Sequence, residues 1–350
     1  MEPKRELDLA YLSWARQLAR AEAAAKKGPG RAVVHQMVER AKRRAWWVKV
    51  LRNARLQTPP VQLLSQMRPV LALHPTNRSL LEAGEDLLQC LNARAIDDIR
   101  HRIGEDKTKP LVVIIGCRKR EKILLSRLKQ IQENATDIQV LGIIGNERIP
   151  DWKFKFRCYR ERGILEVPCK DTYEALPEKV MWTCLAMHLT LKGRGIFKID
   201  DDTEAVNAKK IESLLEILEK ENKDAAGSPI SVGSPLEIDR GWHLGKCSGT
   251  KNKKPFEGIG PKQWMSGGAG YLLSAKGVET LAEFCLHSWN FIRSQIYEDL
   301  TVSWILQSTS KKIHWIKDWS QLGVRNERTV ELSMGRRYHK IEDLEGGRDT

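Results

Sequence analysis

The chain has 350 residues, 41% of them hydrophobic, and a formal net charge of +14. That length and apolar content suffice for a sizeable core, so wholesale disorder is excluded. No run approaches the about 18 consecutive apolar residues of a membrane-crossing helix, and MEPKRELDLAYLSWARQ lacks a secretory apolar region, so neither anchor nor signal is expected.

The predicted elements begin with two basic helices. Residues 5–27 read as a helix from Leu7, Leu9, Leu12, Ala15 and Leu18, broken by KGPGR at 27–31. Residues 32–56 form a second, with Val34, Val38, Ala41, Ala45 and Val48 in one stripe and Trp46 and Trp47 beside Lys42, Arg43 and Arg44. Across residues 11–78 there are 14 Lys and Arg against Glu22 and Glu39, which is 14 − 2 = +12 and leaves only +2 for the rest of the chain. Such a segment suits an anionic membrane surface, an acidic partner or, less well without a helix-turn-helix or zinc signature, nucleic acid. A third helical stretch covers 79–103. GEDKTKP at 104–110 is a polar linker, expected to separate a basic helical module (1–104) from a second domain (110–350).

After Pro110 the pattern changes. LVVIIG (111–116), IQVLGIIG (138–145) and GIFKID (195–200) are short apolar, β-branched runs that read as buried strands. Amphipathic helices are expected at 119–135, at 173–193 with a start near Pro177, and at 207–222. Alternating strands and helices predict an α/β fold with a largely parallel mixed sheet, in which ligands sit at the carboxyl ends of strands. Residues 225–265, rich in Gly, Pro, Ser and Lys, resist assignment. GGAGYLLSAKGVETLAEF (267–284) predicts a turn, a strand and a helix. IYEDLTVSWILQST (296–309) predicts a helix and KKIHWIKDW (311–319) a short strand; the last 30 residues are charged and expected to be partly mobile. Seven cysteines without CxxC spacing point to reduced thiols and a cytoplasmic protein.

Three stretches carry chemistry. Asp200, Asp201 and Asp202 stand in succession directly after a buried strand. Helix capping accounts for one or two of them; a hard divalent cation, Mg²⁺ or Mn²⁺ with substrate phosphates, accounts for all three. WMSGGAGYLLS (264–274) is either a plain loop or a close backbone approach to a ligand. In YEDLT (297–301), Glu298 and Asp299 either cap a helix or supply a general base.

In order and spacing, FKIDDDT (197–203), SGGAGYLLS (266–274) and ED (298–299) resemble the β-1,3-glycosyltransferases of the fringe and core-1 galactosyltransferase type. Upstream, EVPCKDTYEALPEKVMW (166–182) is similar to that family's D-x-x-Y segment through Asp171, Tyr173, Leu176 and Lys179. The resemblance covers about 110–310. It departs at Pro177, where Thr is usual, at the residues after Thr203, and in EDL for EDV. It implies a Rossmann-like GT-A fold and transfer of a hexose or N-acetylhexosamine, galactose type favoured, from a UDP-sugar to a glycan or glycolipid hydroxyl with inversion. Asp200 and Asp202 would hold Mn²⁺ or Mg²⁺, with a C-terminal His as a further ligand, His339 preferred over His314. Asp299 would be the general base. Arg118, Asp171, Asp201, Trp264, Gly267, Gly268, Tyr271 and Glu298 would contact substrates. Without the anchor and disulfides of secretory relatives, the implied setting is cytoplasmic, peripheral at the inner membrane face. A nucleic-acid-binding or nucleic-acid-modifying protein with an inactive or repurposed α/β domain is the alternative.

Overall fold

The computed structural model describes residues 60–325, apart from 105–108, 161 and 259. The helices expected at 5–27 and 32–56, and the charged C-terminal stretch with His339, lie outside the described residues.

Two helices come first, α1 (Pro60–Leu73) and α2 (Arg78–Ile103). The Asn77 side chain accepts from the Leu80 N–H to start α2, and Gly104 at φ 73° ends it. The α/β portion follows: β1 (Leu111–Ile115), α3 (Glu121–Asn134), β2 (Gln139–Gly145), β3 (Lys155–Tyr159), β4 (Arg162–Val167), α4 (Leu176–Thr190), β5 (Ile196–Asp200), β6 (Ala205–Val206) and α5 (Ala208–Lys220). Then come β7 (Ala225–Gly227), β8 (Pro229–Ser231), β9 (Gln263–Met265), β10 (Tyr271–Leu273), α6 (Ala275–His287), α7 (Trp289–Ser294), α8 (Glu298–Ser308), β11 (Ile313–Trp315) and β12 (Val324–Arg325).

Eight strands form one sheet in the order β11-β7-β10-β5-β1-β2-β4-β3. Only β10 and β3 run against the other six, so this is a mixed, mostly parallel, Rossmann-like α/β sheet. The order reverses at β1, which has β2 on one side and β5 on the other. Open α/β sheets bind ligands in the crevice above such a reversal.

Strand alternation divides the core. Leu111, Val113 and Ile115 face α4 and α6, while Val112 and Ile114 face α3 and α5. On the first face Trp182 meets Trp152 and Trp289 edge-on, at 5.4 and 5.0 Å between centroids. Leu64, Met67, Leu88 and Ile99 belong to the same cluster, so α1 and α2 pack into the α/β core itself. The linker at 104–110 was expected to separate two domains; among the described residues, side chains from before and after it share one apolar cluster. The helix begins as one turn of 3₁₀ at Tyr173–Ala175 and becomes α at Leu176, with Pro177 in its first turn, where a missing N–H goes unnoticed.

Candidate functional site

Asp200 is the last residue of β5, and the Asp201 N–H donates to the Ile115 carbonyl at the end of β1 (3.2 Å), so the triple aspartate sits over the reversal point. Because β10 runs antiparallel to β5, its start lies at this same edge and brings the glycine loop with it. Gly270 makes the turn at φ +82°; a Cβ there would stand 2.8 Å from the Lys198 carbonyl oxygen.

Lys198, inside β5 and fully buried, ties the pieces together. Its ammonium lies 2.9 Å from Asp200 Oδ1 and 3.2 Å from Glu298 Oε2, and it donates to the Gly267 carbonyl at 3.2 Å. Burial opposes this charge, yet Asp200 and Glu298 overcome burial and hold the lysine above its ordinary pKa. Tyr271 donates its hydroxyl to Glu298 Oε1. Burial pushes the Glu298 carboxyl up to about 7, with Lys198 opposing the rise.

Asp299, next along α8, is half-buried. Its Oδ2 accepts from the Gly267 N–H at 2.9 Å and its Oδ1 from the Leu300 N–H at 2.8 Å. Burial raises its pKa, and those two N–H groups only partly offset that. A Cβ on Gly267 would stand 3.0 Å from both Asp299 Cβ and Glu298 Oε2, so the loop and α8 need glycine to sit this close.

On the opposite side of β1, Asp171 is a fastening point. Its Oδ1 accepts from the Gly145 N–H (2.9 Å) and from Lys179 Nζ (2.7 Å), and its Oδ2 from the Arg118 N–H. Lys179, buried, also donates to the Gly116 carbonyl at 2.7 Å. Arg118 itself is half-exposed at the mouth, 3.3 Å from Glu166. Arg120, equally exposed, pairs with Asp201 Oδ1 at 3.1 Å.

The expected residues therefore divide. Asp200, Asp202, Gly267, Gly268, Arg118 and Asp299 lie on the segments around the crevice. Tyr271 and Glu298, expected as substrate contacts, are buried and serve each other and Lys198. Trp264 is buried with Phe256, Tyr297 and Leu300 and forms a wall behind the loop. Asp171 spends its oxygens on N–H donors of the protein. Asp201 is buried against Arg120. His314 pairs with Glu221 at 3.1 Å, beyond the end of α5 where β7 and β11 begin, so it stands at the other edge of the sheet from the aspartates. The sequence assigns no role to Lys198, Lys179, Arg120 or Glu166, although a lysine inside the apolar run GIFKID is a visible signal of a buried ion pair.

Among the described residues, no group of three or more His, Cys, Asp and Glu side chains is placed to hold a metal ion. The carboxylates still suit a hard cation that takes its remaining ligands from a diphosphate and water. Asp202 is exposed as a residue, but partial burial of its carboxyl, then Asp200 and Asp201, push its pKa up. Burial likewise raises Asp201, with Asp200 adding to the rise, and its Oδ2 is buried without a hydrogen-bond partner. A cation at this edge would relieve that crowding of negative charge. A scan against protein-family models finds no match, and no curated protein matches the chain.

Proposed function

We propose that the chain is an inverting, metal-dependent glycosyltransferase with a GT-A fold, moving a hexose or N-acetylhexosamine from a UDP-sugar to a hydroxyl of a glycan or glycolipid. The observation that carries this reading is the junction made by Lys198. It couples the triple-aspartate end of β5 to the glycine loop and to the start of α8, so carboxylates suited to a cation and a candidate base lie together around the sheet's reversal point.

Asp200 and Asp202 would hold Mn²⁺ or Mg²⁺, which when bound neutralises charge on the departing diphosphate. Lys198 fixes the Asp200 carboxylate from below, so it need not reorganise. Arg118 presents N–H donors at the mouth, suited to phosphate or ribose oxygens. Asp299 takes the proton of the acceptor hydroxyl. Its Gly267 and Leu300 partners orient the carboxylate but leave a lone pair on each oxygen. Its raised pKa brings it nearer neutrality, where a general base is more effective. Attack of that hydroxyl on the side away from the leaving UDP inverts the anomeric carbon.

UDP binding by the purified full chain, followed calorimetrically with Mn²⁺ and again with EDTA, tests the donor side. Product release from a panel of UDP-sugars tests the reaction. EDTA-sensitive UDP binding is expected, and lost in Asp202→Ala. Asp299→Asn is expected to keep UDP affinity while turnover drops about 10²–10⁴-fold, the usual contribution of a general base. The reading fails if no donor is turned over and UDP binding is absent or indifferent to EDTA.

A further inference from the structure

Among the described residues, six large hydrophobic side chains are exposed, and three of them fall within nine positions: Leu236 at 82%, Trp242 at 46% and Leu244 at 46%. Scattered apolar residues on a surface need no explanation, but a local group of this kind does. The local backbone holds two of them outward. His243, between Trp242 and Leu244, is wholly buried; its Nδ1 lies 3.0 Å from the Tyr297 hydroxyl and its Nε2 lies 2.9 Å from the Lys251 and Lys254 carbonyls. With His243 pinned inward, its neighbours face solvent.

The same stretch is strongly basic. Residues 240–254 contain Arg240, Lys246, Lys251, Lys253 and Lys254 and no acidic residue, a charge of +5. Lys246 Nζ stands 3.6 Å from the centre of the Trp242 ring and 5.7 Å from that of Tyr173. The Ser248 N–H, at 3.3 Å, and its hydroxyl both donate to Glu174, which fastens the stretch over the 3₁₀ turn at Tyr173–Ala175. Tyr173 packs on the cluster of Trp264, Tyr297 and Leu300 behind the glycine loop, so this surface adjoins the crevice.

We infer that residues 236–254 form a docking surface for an anionic lipid bilayer, with Leu236, Trp242 and Leu244 entering the headgroup–acyl boundary and the lysines meeting lipid phosphates. A sugar ring or a nucleobase could stack on Trp242 and draw on the lysines, but neither uses two exposed leucines. An interfacial tryptophan, aliphatic neighbours and a predominantly basic rim, five cations against Glu237 and Asp239, together match a membrane surface. The surface is distinct from the basic segment at 11–78, and it would set the crevice against a membrane whatever reaction occurs there.

Co-sedimentation of the full chain with phosphatidylcholine vesicles, with and without phosphatidylglycerol, tests this without any sugar donor. The wild type is expected to partition onto the anionic vesicles. Trp242→Ser with Leu244→Ser is expected to weaken that partition about tenfold, in line with the apolar area withdrawn. Lys246→Gln with Lys253→Gln and Lys254→Gln is expected to weaken the preference for phosphatidylglycerol, the basic segment at 11–78 being the same in wild type and variant. All substituted side chains are at the surface, and unchanged melting temperatures would show that the variants fold. The inference is overturned if the wild type ignores both vesicles. It is equally overturned if both variants partition like the wild type, or if they keep vesicle binding and lose binding to heparin or single-stranded RNA instead. UDP binding, measured separately, fails or succeeds independently of every one of these outcomes.

Discussion

Glu298 has two buried partners and a proton affinity that no solvent-exposed glutamate would show. Its carboxyl is raised to about 7 from 4.5, chiefly because burial disfavours the charged form. Between those values the folded chain holds a proton that the unfolded chain has released. Stability is therefore greatest below pH 4.5 as far as this group is concerned, and is lost as pH rises towards 7. Glu298→Gln, neutral throughout, removes that contribution. Thermal melts at pH 5 and pH 7.5 are expected to show a smaller fall in Tm for Glu298→Gln than for the wild type, and an unaltered difference would show that Glu298 does not titrate in this window. At this scale the triple aspartate was legible because three like charges after a buried strand demand a partner. The Lys198–Glu298 pair was not, since its members lie 100 positions apart and only the β5–β10 pairing and the start of α8 bring them together.

At the scale of elements, Asp171 decides how three segments meet. It belongs to no helix or strand, yet it binds the loop after β1, the end of β2 and, through Lys179, the first turn of α4. Asp171→Ala would leave the buried Lys179 ammonium with only the Gly116 carbonyl named above. Breaking a buried pair from one side typically costs about 3–5 kcal/mol. Asp171→Ala is expected to lower the unfolding free energy by that order in urea titrations and to weaken UDP binding by releasing the Arg118 loop, whereas loss of UDP binding with full stability would make Asp171 a direct ligand contact. Strands β1, β2 and β5 were readable because they are largely buried on both faces and hence, Lys198 in β5 apart, mostly apolar. The hairpin β3–β4 was missed because β3, LysPheArgCysTyr, is an edge strand that alternates polar and apolar residues and follows a positive-φ turn at Trp152. Strand β7 is three residues, AlaAlaGly, and its small side chains carry no strand signal; Gly227 is small because Met265 packs 2.8 Å from where its Cβ would be.

For the molecule as a whole, the instructive difference lies at the linker. A polar stretch such as GEDKTKP marks a change of element just as readily as a change of domain, and local composition cannot tell which, because what defines a domain is where apolar side chains are buried. Here Leu64, Met67 and Leu71 from α1, with seven Leu and Ile side chains from α2, are buried, and they share the cluster of α4 and α6. Polar links reinforce the contact: Arg78 pairs with Glu279 at 3.1 Å, and Asn92 donates to the Trp152 carbonyl at 2.9 Å and accepts from the Phe154 N–H at 2.8 Å. Full burial of such an apolar side chain contributes about 1.5–3 kcal/mol. A chain beginning at residue 110 is therefore expected to lack a cooperative melt and to bind a hydrophobic dye, because the exposed faces of α4 and α6 have nothing to cover them. A chain beginning at residue 58 is expected to melt cooperatively near the full-length Tm and to keep UDP binding. Cooperative folding of the shorter chain would show 104–110 to be a domain boundary.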